Sequence, residues 1–330
     1  MKVLITGGAG FIGSTVASCC ADNGITPVIL DDYSTGLRVF AERFDHYEGD
    51  IADRGLLDRI IDDHPEIEAV IHCAAKIVVP ESVEKPLMYY DNNVGRAISL
   101  IDALSARGIG KFLLSSTAAM YEPDPDFMVS ETSTVNPTSP YAASKWMLER
   151  VLADAAAAGA IRAIALRYFN PIGADPQLRT GLQNPAPSHA LGKMITAHET
   201  GQPFTVTGVD WPTRDGSGLR DYIHVWDLAR AHVLALKAEL ADYEVINLGT
   251  GTGTTVFELA EAVGEATGSP LDVRTAPPRN GDVAGSAART DKAAEVLGWD
   301  VEYTVADGVR HSLAWAEKLP EVLRREGARK

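Results

Sequence analysis

The feature that most constrains this chain is the run KVLITGGAGFIGSTVA at positions 2–17. An apolar, strand-forming segment ends on Gly7, Gly10 and Gly13, and a helix-forming segment follows at once. Both halves are satisfied by a strand that turns sharply into a helix, because glycines permit the tight turn and the close helix–strand packing. Started at Gly8, the same run also reads G-x-G-x-x-G. A second apolar run, PVIL (27–30), is followed by Asp31, eighteen residues after Gly13, and this is the context that marks a dinucleotide fingerprint. The helix N-terminus offers N–H donors to a pyrophosphate. A carboxylate at Asp31 accepts from the adenosine ribose and repels a 2′-phosphate, which favours NAD over NADP; Arg38, seven residues on, weakens this only slightly.

Strand-like runs at 3–6, 27–30, 69–75, 111–116 and 163–169 alternate with helix-like stretches at 14–24, 56–65, 97–108 and 141–159. That alternation predicts an α/β protein built on a doubly wound parallel sheet. After about residue 171 the chain turns Pro- and Gly-rich, and GADPQLRTGLQNPAPSHALG reads as loop. We expect a cofactor domain over 1–175, with segments near 224–250 rejoining it, and a smaller C-terminal α/β lobe over 176–330 that ends in a helix near Asp307–Lys318.

SPYAASKWMLER (139–150) carries chemistry. Ser139 is a good N-cap, Pro140 suits the first helical position, and Tyr141 and Lys145 then share one helical face. A phenol with a pKa near 10 must fall by about three units to act as a base at neutrality, which is about 4 kcal/mol. One ammonium at ~4 Å, in an effective dielectric of ~20, supplies about that much. Just upstream, LLSSTAAMY places Ser115, Ser116 and Thr117 at the carboxyl end of a strand, where open α/β sheets bind ligands.

GGAGFIG, the Ser-Ser-Thr run, YAASK and LRYFNPIGA together resemble the extended short-chain dehydrogenase/reductase family, a Rossmann-fold group whose members act on nucleotide sugars. ESVEKPLMYYDNNV, RYFNPIGA and GLRDYIHVWDLARAH resemble its UDP-glucose 4-epimerase branch, over nearly the whole chain. The resemblance implies reversible NAD-dependent oxidation at carbon 4 of a UDP-sugar, through a 4-keto intermediate that is reduced on its other face. It implies a catalytic set of Thr117, Tyr141 and Lys145. It assigns NAD to Gly7, Gly10, Phe11, Ile12, Gly13, Asp31, Asp50, Ile51, Cys73, Ala74, Asn92, Ser115, Tyr141, Lys145 and Tyr168. The UDP-sugar falls to Thr117, Tyr141, Asn170, Arg220, Tyr222, Arg279, Asp282 and Ser286, and the helices near 94–107 and 141–159 resemble those that pair in family homodimers. His72 and His224 read as core or supporting histidines.

Several positions depart from the family pattern. Lys76 is one place early, Glu122 replaces a glycine, and SHALGK lacks the usual uridine-loop residues. Ser286 stands where the family has a bulky tyrosine or a small residue, and a small one leaves room for a 2-acetamido group, so UDP-N-acetylhexosamines are further candidate substrates. A 4,6-dehydratase needs an acid and a base where this chain has Ala118 and Ala119. Another 4-epimerase, acting on UDP-glucuronate, stays open, as does a non-catalytic NAD sensor. A formal charge of −15 argues against nucleic-acid or anionic-membrane partners. Three cysteines without zinc or disulfide spacing point to a reduced cytoplasmic setting and no metal site. No leader segment or membrane span is expected.

Overall fold

The computed structural model describes residues 1–239, 241–278 and 283–328. Its centre is a seven-stranded, all-parallel sheet: β1 (Lys2–Thr6), β2 (Thr26–Asp31), β3 (Asp45–Glu48), β4 (Ile67–His72), β5 (Lys111–Thr117), β6 (Arg162–Tyr168) and β7 (Tyr243–Leu248). The spatial order is β7-β6-β5-β4-β1-β2-β3. Side chains alternate across the pleat. Val3, Ile5, Ile29 and Leu166 enter one core, and Leu4, Val28, Leu30, Ala163 and Ala165 enter the other. The first core is covered by the helices Phe11–Asp22 and Val225–Lys237, which pack on each other. The second is covered by Arg54–Asp63, Arg96–Ala106 and Pro140–Ala157. With both faces covered, these strands read as continuous apolar runs rather than alternating ones.

β3 lay outside the sequence expectation. Its residues, DHYE, form a short and largely exposed edge strand with no apolar period to announce it. The expected strand over 69–75 ends at His72, because Cys73–Ala75 turn under the glycine loop. Two helices begin in stretches read as loop or left unassigned: Ala190–Thr200, and Val256–Thr267 with its Thr255–Glu258 capping box. The terminal helix runs from Val305 to Gly327 and contains Pro320, so it is longer than Asp307–Lys318. Trp315, Leu319 and Val322 are buried against Val39 and Phe40, which holds the helix through the proline.

Short paired strands build the C-terminal lobe. Leu219–Arg220 lies antiparallel to Thr254–Thr255 and parallel to Gly285–Ala288, which in turn pairs with Met128–Val129. Asn170–Ile172 pairs with Tyr222–His224, and Phe204–Thr207 with Val273–Ala276. Among the described residues no helix is long and apolar enough to cross a membrane.

Candidate active site

The sheet reverses its build direction between β1 and β4, and the glycine loop sits at that switch point, outside the strand ends. Gly7 has φ +71°, and a Cβ there would come within 2.5 Å of the Ala74 amide nitrogen. A Cβ on Gly13 would lie 2.2 Å from the Gly7 carbonyl, so close packing of helix on strand requires glycine at both positions. Gly10 differs. The nearest atom to its Cβ position beyond its chain neighbours is the Gly7 carbonyl oxygen at 3.4 Å, an ordinary contact, and as N-cap it leaves the Phe11–Asp22 helix without a side-chain cap. Free N–H groups at an approachable helix start suit an anion.

Asp31 ends β2, buried. Its oxygens accept from the amides of Ala9 (2.9 Å) and Tyr33 (2.8 Å), while burial pushes the carboxyl above its usual range. Arg38, the residue that could favour a 2′-phosphate, is bonded to Glu48 and lies 4.1 Å over the Tyr33 ring. Asp50 accepts from the Ala52 amide and from Arg96, and Ile51 beside it is buried. Phe11 and Ile12 open the first helix, and Cys73 and Ala74 follow β4 beside Gly7. The Tyr168 hydroxyl is solvent-shielded with no hydrogen-bond partner among the described residues. An orphaned donor of that kind, an uncrowded Gly10 and a carboxylate with spare lone pairs all fit a dinucleotide.

Ser139 caps the Pro140–Ala157 helix by accepting from the Ala142 amide at 3.2 Å. That helix carries Tyr141 and Lys145 to the end of β5, where Thr117 lies. Lys145 is only 3% exposed, and its Nζ donates to the Ser115 carbonyl at 2.8 Å. Burial pulls its pKa down to about 8, against the opposing pull of Cys73 and Glu149. The Cys73 thiol is pushed up to about 12, mainly by burial. Tyr141 is held above its ordinary value by desolvation, with a hydrogen bond from Thr117 acting the other way. The sequence expectation joins Lys145 to oxidised nicotinamide and the helix N-terminus in lowering the phenol. The ammonium is engaged by a backbone carbonyl, and the net effect on Tyr141 in the protein alone is upward.

The C-terminal lobe brings a second group together. Arg220 and Ser286 are register partners on adjacent strands, and Asn170 pairs with Tyr222 on the neighbouring two-stranded sheet. Arg220 donates to the carbonyls of Leu219 and Ala284. The Tyr222 phenol, buried, is pushed up to about 12 despite Arg220. Arg279 and Asp282 lie outside the described residues.

Three supporting groups escaped the sequence reading. Asn93 holds the Lys76 amide and carbonyl (both 2.9 Å) and donates to Ser144, which bonds the Tyr141 carbonyl at 2.7 Å. Asn92, beside it, donates to the Asn93 side chain. Glu149, 2% exposed, forms a forked pair with Arg167, 5% exposed, and also accepts from Ser116. Asp221 is fully buried and accepts from the Thr250 and Ala288 amides, tying together the strands that carry Arg220 and Ser286. One signal was available: Tyr141, Lys145 and Glu149 recur every four residues, on one helical face. His72 bonds Thr6 and His224 caps the Val225–Lys237 helix, so both are supporting residues.

A dinucleotide loop at the switch point with a Tyr–Lys helix beside it defines a nucleotide-dependent enzyme of the short-chain dehydrogenase/reductase type. Residues 3–249 match the NAD dependent epimerase/dehydratase family, and the chain belongs to it. It is 42% identical over 319 residues to the UDP-glucose 4-epimerase of Rhizobium leguminosarum bv. trifolii, covering 96% of this chain and 97% of that protein. Among solved structures it resembles the UDP-glucose-4-epimerase from Stenotrophomonas maltophila with bound NAD and formylated UDP-arabinopyranose, with TM-score 0.93 and 35% identity over 97% of this chain and 99% of that one. It also resembles the UDP-Glc/GlcNAc 4-epimerase from Campylobacter jejuni, with TM-score 0.82 and 32% identity over 96% of this chain and 99% of that one.

Proposed function

We propose that this protein interconverts UDP-galactose and UDP-glucose by NAD-dependent 4-epimerisation through a 4-keto sugar. The observation that carries this reading is the meeting of Thr117, Tyr141 and Lys145 at the end of β5. Bound NAD supplies the hydride acceptor and donor and a positive charge at the reaction centre. Tyr141 takes the proton of the 4-hydroxyl and returns it after the sugar turns over. Thr117 donates to the phenolate, and Lys145, held by the Ser115 carbonyl, keeps a cation next to the cofactor end of the site. NAD is held by the glycine loop with Phe11 and Ile12, by Asp31, Asp50 and Ile51, and by Cys73, Ala74, Asn92, Ser115 and Tyr168. The UDP moiety falls to Asn170, Arg220 and Tyr222, with Arg279 and Asp282 in the same role. The lobes divide near residue 175, and Val225–Leu248 counts with the cofactor lobe.

Two refinements belong to this reading. Ser286, opposite Arg220, leaves space for a 2-acetamido group, so UDP-N-acetylglucosamine is a further substrate; undetectable turnover at high enzyme concentration removes that extension. Two copies pair through the helices Pro86–Tyr90, Arg96–Ala106 and Pro140–Ala157, which pack together and expose Leu87 (81%), Ile98 (43%), Trp146 (42%) and Met147 (41%). Light scattering reads the mass directly: a dimer that Trp146→Glu converts to monomer supports the pairing, and a monomeric wild type rejects it. The three unpaired thiols agree with a cytoplasmic setting.

Incubation with UDP-galactose, with no NAD added, tests the whole reading. Formation of UDP-glucose supports 4-epimerisation on retained cofactor. No conversion, with or without added NAD, rejects these substrates.

A further inference from the structure

We infer that Gln183 straps the cofactor from the C-terminal lobe, as a ligand of the dinucleotide that slows its release; this rests on the NAD-binding part of the function proposed above. The argument begins with where the side chain reaches. Gln183 belongs to the segment after Asp175, outside the large sheet, yet its Nε2 donates to the Thr35 carbonyl at 3.3 Å and lies 3.9 Å from the Cβ position of Gly10. Thr35 adjoins Gly36, whose own Cβ position is 3.0 Å from Asp31 Oδ1. The amide therefore bridges the open helix start and the loop over Asp31.

Its other end is unsatisfied. Gln183 Oε1 is shielded from solvent and has no hydrogen-bond partner among the described residues. A shielded amide oxygen left unpaired is unfavourable, so its position calls for a donor from a bound group. At neutral pH phosphate oxygens only accept, which excludes the pyrophosphate as the partner of Oε1. The donors next to a pyrophosphate in a dinucleotide are ribose hydroxyls, and Oε1 is placed to accept from one of them.

The segment is also anchored firmly enough to act as a strap. Thr180 bonds Thr15 at 3.1 Å, and Arg179 forks onto Asp22, so both ends of the Phe11–Asp22 helix grip it. Trp315 Nε1 donates to the Leu182 carbonyl at 2.8 Å, one residue before Gln183. The amide is thus held over the glycine loop by the helix that the loop starts and by the terminal helix. An enzyme that must return hydride to the same sugar gains from keeping its cofactor through the cycle.

The test reads cofactor exchange. Wild type, Gln183→Leu and Gln183→Ala are saturated with NAD and transferred into excess isotopically labelled NAD. Bound NAD is then followed by mass spectrometry after denaturation. We expect exchange about tenfold faster in both variants, the cost of one lost hydrogen bond, with the melting temperature of the NAD-free protein unchanged. Exchange within twofold of wild type in a folded Gln183→Leu overturns the strap while leaving NAD binding in place. A wild type that neither retains nor takes up NAD overturns the cofactor reading and the strap with it.

Discussion

At the scale of single residues, the base and its neighbours do different jobs from those that spacing alone suggests. Four residues separate Tyr141 from Lys145, yet the ammonium bonds Ser115, and the group that acts to lower the phenol is Thr117. Replacing Thr117 with Val should raise the pKa of Tyr141, and a base must be deprotonated to act. The acid limb of the pH–rate profile should therefore move to higher pH, by about one unit, with kcat down about tenfold at neutrality and Thr117→Ser restoring both. An unmoved limb would remove Thr117 from the proton-transfer set. Tyr141→Phe should lose at least about a hundredfold in turnover while still retaining NAD, which absorbance of the bound dinucleotide after reduction will show. A non-catalytic sensor would keep its function in the same variant.

At the scale of elements, the catalytic helix is held at its start and at its middle. Ser139 caps it, Asn93 and Ser144 tie its first turn to the Lys76 segment, and Glu149 is locked to β5 by Ser116 and to β6 by Arg167. Arg167 also bonds the Tyr121 hydroxyl, which donates to Asn247 at the edge strand, so one buried polar chain spans three strands. Arg167→Met leaves the Glu149 carboxylate buried without its cation and should cost about 3–5 kcal/mol of stability in a urea titration. Glu149→Leu combined with Arg167→Met should cost less than Arg167→Met alone, because no charge is left unpaired. A single variant within about 1 kcal/mol of wild type would show that the pair does not anchor the helix. Spacing placed Glu149 on the Tyr141–Lys145 face, but a glutamate at that position is also an ordinary solvated charge. Its partner, eighteen residues on, follows only from the packing of helix on sheet.

At the scale of the molecule, acid should loosen the fold at several points together. His72 and His224 are held down at about 3 and His232 at about 4, in each case chiefly by burial. They lie in the sheet, at the junction of the lobes and on a covering helix. His224 is further fixed by its 2.9 Å contact with His311, whose own pKa is also lowered. Because their folded pKa values lie below the unfolded value near 6.5, the unfolded chain binds more protons, and stability is lost as pH falls below 6.5. Three such groups give a slope of up to about 4 kcal/mol per pH unit until the folded pKa values are reached. Asp31, Asp221 and Asp227, raised by burial, act in the opposite sense as they take up protons, so the window to examine is the one that opens just below pH 6.5. Urea midpoints that stay level across it would refute the histidine account.

What the sequence determined by itself was local: where the glycines force a strand into a helix, where a Ser-Pro pair starts a helix, and which short apolar runs become covered parallel strands. These follow from backbone sterics and from side-chain periodicity over a few residues. The edge strand Asp45–Glu48 and the helical turns past Pro320 were not legible, because exposed polar residues carry no period and the proline is tolerated only through burial of Trp315 and Leu319. The site divides in the same way. Tyr141, Lys145 and Asp31 stand in recognisable spacings. The capture of Lys145 by Ser115, the Glu149–Arg167 pair, the Asp221 hub and the reach of Gln183 over Gly10 were decided by tertiary structure alone, since each joins residues distant in the chain through burial that only the folded sheet and its covering helices create.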